Sequence, residues 1–138
     1  DELIATALLH DTCEDCHILP EELPVNATVQ EAVRRLSFFP EPGVEHSVAR
    51  DRYFARIPGN RIAVLTKLLD RCNNLSYMVY GFSRDKLLDY IEETERAVMP
   101  LLTYAEKNYP HDANALFLLN YQMHSTMNSI RALLERNL

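Results

Sequence analysis

Residues 1–16, DELIATALLHDTCEDC, decide how the rest of the chain is read. Ile4, Ala5, Leu8, Leu9 and Thr12 recur at the three-and-four spacing of a helix with one buried face. Beyond that face, His10 and Asp11 are followed one turn later by Glu14 and Asp15. At roughly 100° per residue on a continuous helix, His10 stacks on Glu14 and Asp11 on Asp15. An imidazole and three carboxylates then share one sector with no Lys or Arg beside them, an arrangement that repels itself unless a cation lies among the groups. The stretch reads as half of a metal site.

Residues 67–74, KLLDRCNN, are the candidate for the other half. A helix over about Arg61 to Ser76 is expected to bury Leu65, Leu68, Leu69, Cys72 and Leu75. It would turn Lys67, Asp70, Arg71 and Asn74 to the opposite face, with Asp70 and Asn74 one turn apart.

An H-D-x-x-E-D run at 10–15 followed by K-L-x-D-R-x-x-N at 67–74 resembles the HD-domain alarmone, (p)ppGpp, pyrophosphohydrolases. These are the hydrolase domains of bacterial stringent-response enzymes and their small single-domain relatives. The likeness runs from Asp1 to about Tyr77. It implies an all-α HD-domain helical bundle of about six helices. It also implies that His10, Asp11 and Asp70 ligate Mn²⁺, that Glu14 and Asp15 orient or deprotonate the attacking water, and that Asn74 contacts the nucleoside. The implied reaction removes the 3′-pyrophosphate of ppGpp or pppGpp to give GDP or GTP. Family members carry a further His ligand on a helix ahead of the H-D pair. Two expectations stand open: the domain is N-terminally trimmed, or its site is incomplete. With three ligands the metal would bind more weakly, and the chain could be empty and inactive even where its parent is an enzyme. Cys72-Asn73 stands where the family usually has Leu-His.

Taken without the resemblance, mixed imidazole and carboxylate donors suit Mn²⁺, Fe²⁺ or Zn²⁺ alike. A bound divalent ion lowers the pKa of its water and neutralises phosphoryl oxygens, as phosphate-ester hydrolysis at neutral pH requires. Charge distribution agrees with such chemistry. Residues 1–33 contain no Lys or Arg, whereas residues 50–71 hold Arg50, Arg52, Arg56, Arg61, Lys67 and Arg71 against Asp51 and Asp70. Lys67 and Arg52 join Asn74 as candidate substrate contacts. Two other readings remain open: hydrolysis of a different nucleotide, and a non-catalytic HD-like domain that binds a nucleotide or protein partner.

The outer limits are set by length and composition. The 138 residues suit a single domain spanning 1–138. A net charge of −6 argues against nucleic acid or an anionic membrane surface as partner. No apolar run approaches the ~20 residues of a membrane span. No secretory signal opens the chain, so the expected location is the cytoplasm, with the cysteines reduced. Oligomeric state is left open.

Along the chain, residues 19–24 break the first helix. Thr28 with Glu31 forms a capping box for a helix buried through Val29, Ala32, Val33 and Leu36. Further helices are expected over His46–Ile57 and from Ser83, the latter kinked at Pro100. The last is capped by Asp112, with Leu116, Leu119, Met123, Met127, Ile130 and Leu134 as core or subunit contact. Asp112 as a cap makes His111-Asp112 a structural pair. Cys13-Glu14-Asp15-Cys16-His17 matches the C-x-x-C-H of c-type haem attachment, but its acidic interior and the lack of an export signal tell against that use.

Overall fold

The computed structural model describes residues 1–136 and is 80% helical with no strand among them, which establishes the all-α class. The helices are α1 Glu2–Leu9, α2 Thr12–Cys16, α3 Ala27–Leu36, α4 His46–Arg56, α5 Arg61–Tyr77, α6 Arg84–Glu93, α7 Met99–Asn108 and α8 Ala113–Arg136. They match the expected helical bodies, with two of those bodies interrupted. The first breaks at His10–Asp11, between α1 and α2. The long helix from Ser83 widens into a π turn at Thr94–Val98, between α6 and α7. Pro100 accounts for the second interruption. Its ring would collide with the carbonyl four residues back, that of Arg96, and it donates no hydrogen bond. The wide turn that contains Arg96 absorbs both defects, so the irregularity expected at the proline lies just upstream of it, as a π turn.

Caps follow the side-chain chemistry. Ser83 Oγ accepts from Lys86 N at 3.4 Å, as expected at the start of α6. For α3 the cap is Asn26, whose Oδ1 accepts from Val29 N at 3.0 Å. The capping box expected at Thr28 is therefore displaced: Thr28 lies inside the first turn, because Asn26 reaches an orphan amide first. Between α4 and α5 the chain reverses through Gly59 at φ +90°, a conformation that a side chain would strain.

The chain divides into two compact units, Asp1–Lys67 and the chain from Leu68 on, with the boundary inside α5. In the first unit α1 packs on α3. Cys13, Leu23, Val29 and Val33 form its buried cluster, with Ala5, Leu9, Ile18 and Val25 packed against it. Two arginines cap the C-terminal ends of each other's helices. Arg35 Nη1 donates to Arg56 O at 2.8 Å and Pro58 O at 3.0 Å. Arg56 returns the bond through Nε to Arg35 O at 3.2 Å and through Nη2 to Ser37 O. The carbonyls that a helix end leaves over are thus taken up by guanidinium donors.

In the second unit α7 packs on α8. Leu116, Met123, Met127 and Ile130 of α8 are buried, as the spacing predicts, while Leu119 and Leu134 are half-buried. Arg131 of α8 clasps Glu95 in the π turn through Nη1–Oε1 at 2.8 Å and Nη2–Oε2 at 2.7 Å. Among the described residues no helix is long and apolar enough to cross a membrane.

The buried stripe of α5 differs from the expected one. Leu65, Leu68 and Leu75 are buried, but Leu69 is 43% exposed and Cys72 only half-buried. Arg71, expected on the polar face, is 1% exposed. Val64, Leu68, Arg71 and Leu75 fall on one line of the helix at about 100° per residue. The stripe is centred there, and Leu69 falls outside it.

Candidate functional site

His10 and Asp11 form the turn that separates α1 from α2. His10 keeps helical angles (φ −59°, ψ −32°) and Asp11 drifts to φ −95°, ψ −9°, enough to end the ladder. His10 Nδ1 lies 2.8 Å from Ala7 O. A carbonyl can only accept, so Nδ1 carries the proton, and the imidazole replaces a backbone amide as the partner of that carbonyl. His10 Nε2 then faces Asp11 Oδ2 at 3.1 Å. Two acceptor atoms so close need a proton or a cation between them. A backbone carbonyl holding the far nitrogen is also how a ligating histidine is commonly oriented.

The four-group stack expected on one continuous helix is not formed, because the helix breaks within it. Asp15 N still donates to Asp11 O at 2.9 Å, which keeps those two residues one turn apart, both with exposed side chains. Glu14 points elsewhere. Its Oε1 accepts from Phe38 N at 2.7 Å and ties α2 to the segment after α3. Between them Cys13 is fully buried. Burial pushes its thiol pKa up, partly offset by a hydrogen bond with Ser37. It is a core thiol.

Glu14 and Lys67 meet in one neighbourhood through an aromatic cluster that the sequence did not reveal. The Phe38 ring lies edge-on to Tyr53, with centroids 5.7 Å apart, and Tyr53 edge-on to Phe54 at 5.0 Å. The Arg50 guanidinium lies 5.0 to 5.2 Å from the Phe38, Tyr53 and Phe54 ring centroids. Lys67 Nζ lies 5.6 Å from that of Tyr53. Burial pushes the Tyr53 hydroxyl pKa up, and the charge of Lys67 and its hydrogen bond pull it back. Arg52 stands on exposed surface, its Nη1 paired with Glu41 Oε2 at 2.8 Å. Arg50, over the rings, and Arg52, paired with Glu41, therefore do different things on the same helix.

In the second unit Asp70 and Asn74 are joined as their spacing predicts, Asn74 Nδ2 donating to Asp70 Oδ1 at 2.8 Å. Asn74 also lines a cavity of about 370 Å³ with Tyr77, Met78, Gly81, Phe82 and Tyr90. Arg71 between them is a clamp inside the unit. Its Nη2 donates to Glu93 Oε1 at 2.5 Å and its Nη1 to Thr94 Oγ1 at 3.0 Å. Its guanidinium carbon lies 3.9 Å from the Tyr90 ring centroid. The acceptors are in the chain 22 and 23 residues further on, beyond the reach of helical periodicity.

As donor types, His10 and Asp11 fit a divalent cation, but a complete ligand set is not assembled. Among the described residues no group of three or more His, Cys, Asp or Glu is placed to hold a metal ion. Comparison with protein-family models, curated proteins and solved structures gave no match.

Proposed function

We propose that the chain is an HD-type metal-dependent phosphohydrolase acting on a pyrophosphorylated nucleotide in the cytoplasm. The reaction favoured is removal of the 3′-pyrophosphate of ppGpp or pppGpp to give GDP or GTP, as in the stringent response. The observation that carries this reading is the His10–Asp11 pair. The imidazole is oriented by a backbone carbonyl, and its second nitrogen is 3.1 Å from a carboxylate oxygen, inside the H-D-x-x-E-D motif. In this reading His10, Asp11 and Asp70 are the ligands of a divalent ion, Mn²⁺ by the family's preference. That ion would supply an acidified water and neutralise phosphoryl charge.

The remaining roles belong to the chain's own groups. In this reading Asp15, exposed one turn from Asp11, accepts a proton from an attacking water. Glu14, tied to Phe38 N, acts by holding α2 in place as much as by touching water. Lys67 and Arg52 offer charge to phosphoryl oxygens, and Asn74, held by Asp70, offers an amide to the nucleoside.

The test is pyrophosphate release from ppGpp by the purified chain with and without Mn²⁺. Metal-dependent release that is lost in Asp70→Ala, at unchanged helicity, is the expected result. Release indifferent to Asp70, or no metal-dependent release even from a chain extended by a His-bearing helix ahead of the H-D pair, would overturn the proposal. A second reading, a non-catalytic domain that binds the nucleotide without turnover, is favoured by the lack of a three-donor group among the described residues. It predicts nucleotide binding with no pyrophosphate released, and hydrolysis of another nucleotide would show as release from that substrate instead.

A further inference from the structure

We infer that the first unit carries a separate anion site, built for a phosphate or pyrophosphate group, where α3 meets the end of α4. A cavity of about 360 Å³ is lined there by Glu31, Arg34, Arg35, Ala55, Arg56 and Pro58. Three guanidiniums against one carboxylate leave the lining positive in a chain whose net charge is −6.

The arginines are fixed before any ligand arrives. Arg35 and Arg56 are held by the helix-end carbonyls they cap. Arg34 is held by Glu31 Oε2, 2.6 Å from its Nη1, and by Glu21. These bonds do not use every donor. Arg34 Nε, Arg35 Nη2 and Arg56 Nη1 take no hydrogen bond among the described residues. A guanidinium presents five donors in a rigid fork, and forks already held in place lose little freedom when an oxyanion binds. Ala55 and Pro58 contribute apolar wall, and Pro58 has no amide hydrogen of its own. Glu31 shows what the cavity accepts. Its two oxygens are split between Arg34 and Arg35, at 2.6 and 2.8 Å, so a carboxylate already occupies part of the space that a phosphoryl group would fill.

Glu31 is therefore a competitor of the ligand, which gives variants with effects of opposite sign. Removing its charge in Glu31→Gln should tighten anion binding by several-fold, and Arg34→Gln should weaken it by about tenfold. The probes are inorganic phosphate and inorganic pyrophosphate, with sulfate for comparison. They are titrated in the presence of EDTA and followed through backbone amide shifts. EDTA keeps the proposed metal-dependent reaction out of the readout, so failure here leaves that proposal standing and failure there leaves this one.

Saturable shifts confined to residues 31–37 and 55–59, tighter in Glu31→Gln and weaker in Arg34→Gln, are the expected result. The inference is overturned by no saturation at millimolar pyrophosphate. It is equally overturned by shifts centred on residues 10–15 or 67–74, or by weaker binding in Glu31→Gln. Should Arg34→Gln fail to fold, the Glu31→Gln arm decides alone.

Discussion

Replacing Arg71 with alanine should destabilise the chain by about 2–4 kcal/mol. Arg71 is 1% exposed, donates to Glu93 at 2.5 Å and Thr94 at 3.0 Å, and lies over the Tyr90 ring at 3.9 Å. Hydrogen bonds involving a charged group contribute about 1.5–3 kcal/mol each, and a desolvated cation–π contact about 2 kcal/mol. Two terms work the other way. Removing the guanidinium also removes its own cost of burial, which is several kcal/mol, including an Nε that finds no acceptor among the described residues. Glu93, moreover, is 22% exposed and can turn towards water. At about 3–5 °C per kcal/mol for a chain of this length, the net loss lowers Tm by about 10 °C. Arg71→Met keeps the volume without the charge and should cost only about half as much. Thermal unfolding followed by circular dichroism, with urea midpoints alongside, measures both. A drop below about 2 °C for Arg71→Ala, or a larger loss for Arg71→Met than for Arg71→Ala, would refute the clamp.

Three further outcomes follow from the geometry. A thiol reagent applied to the native chain should label exposed Cys16 rapidly and fully buried Cys13 only on unfolding. Mass mapping of the labelled peptides checks this, and equal labelling rates would contradict it. Asn26→Ala removes the α3 cap and should cost about 0.5–2 kcal/mol by urea denaturation, whereas Thr28→Ala should cost less because Thr28 does not cap. The Arg131 guanidinium holds the Glu95 carboxyl below its ordinary value of 4.5. Since the folded pKa is the lower one, this contribution is complete above about pH 4.5 and is lost as pH falls through the depressed value. Both side chains are partly exposed, so it amounts to less than about 1 kcal/mol. Stability measured against pH in Arg131→Gln should fall less steeply on the acid side than in the parent chain.

Much of this architecture was legible in the sequence because helices announce themselves locally. The apolar rhythm of α8, the Ser83 cap and the pairing of Asp70 with Asn74 need only residues within one or two turns of each other. The break at His10–Asp11 was not legible. Both residues keep nearly helical angles, and the interruption comes from an imidazole bonding back to Ala7. Arg71 was misplaced for a different reason. Arginine is almost never fully buried without a partner, and its partners at 93 and 94 are far away in the chain. The aromatic cluster of Phe38, Tyr53 and Phe54 joins two elements whose encounter no periodicity encodes. Pro100 signalled a defect in its helix, while the form of the defect, a π turn, depends on how the turn before it relaxes.

Mn²⁺ binding by the purified chain, followed by the loss of the free-ion paramagnetic resonance signal, bears on the proposed ligands themselves. The expected result is one bound ion per chain, with binding abolished or sharply weakened in each of His10→Ala, Asp11→Ala and Asp70→Ala. Binding by Asp70→Ala as tight as that of the parent chain would contradict it.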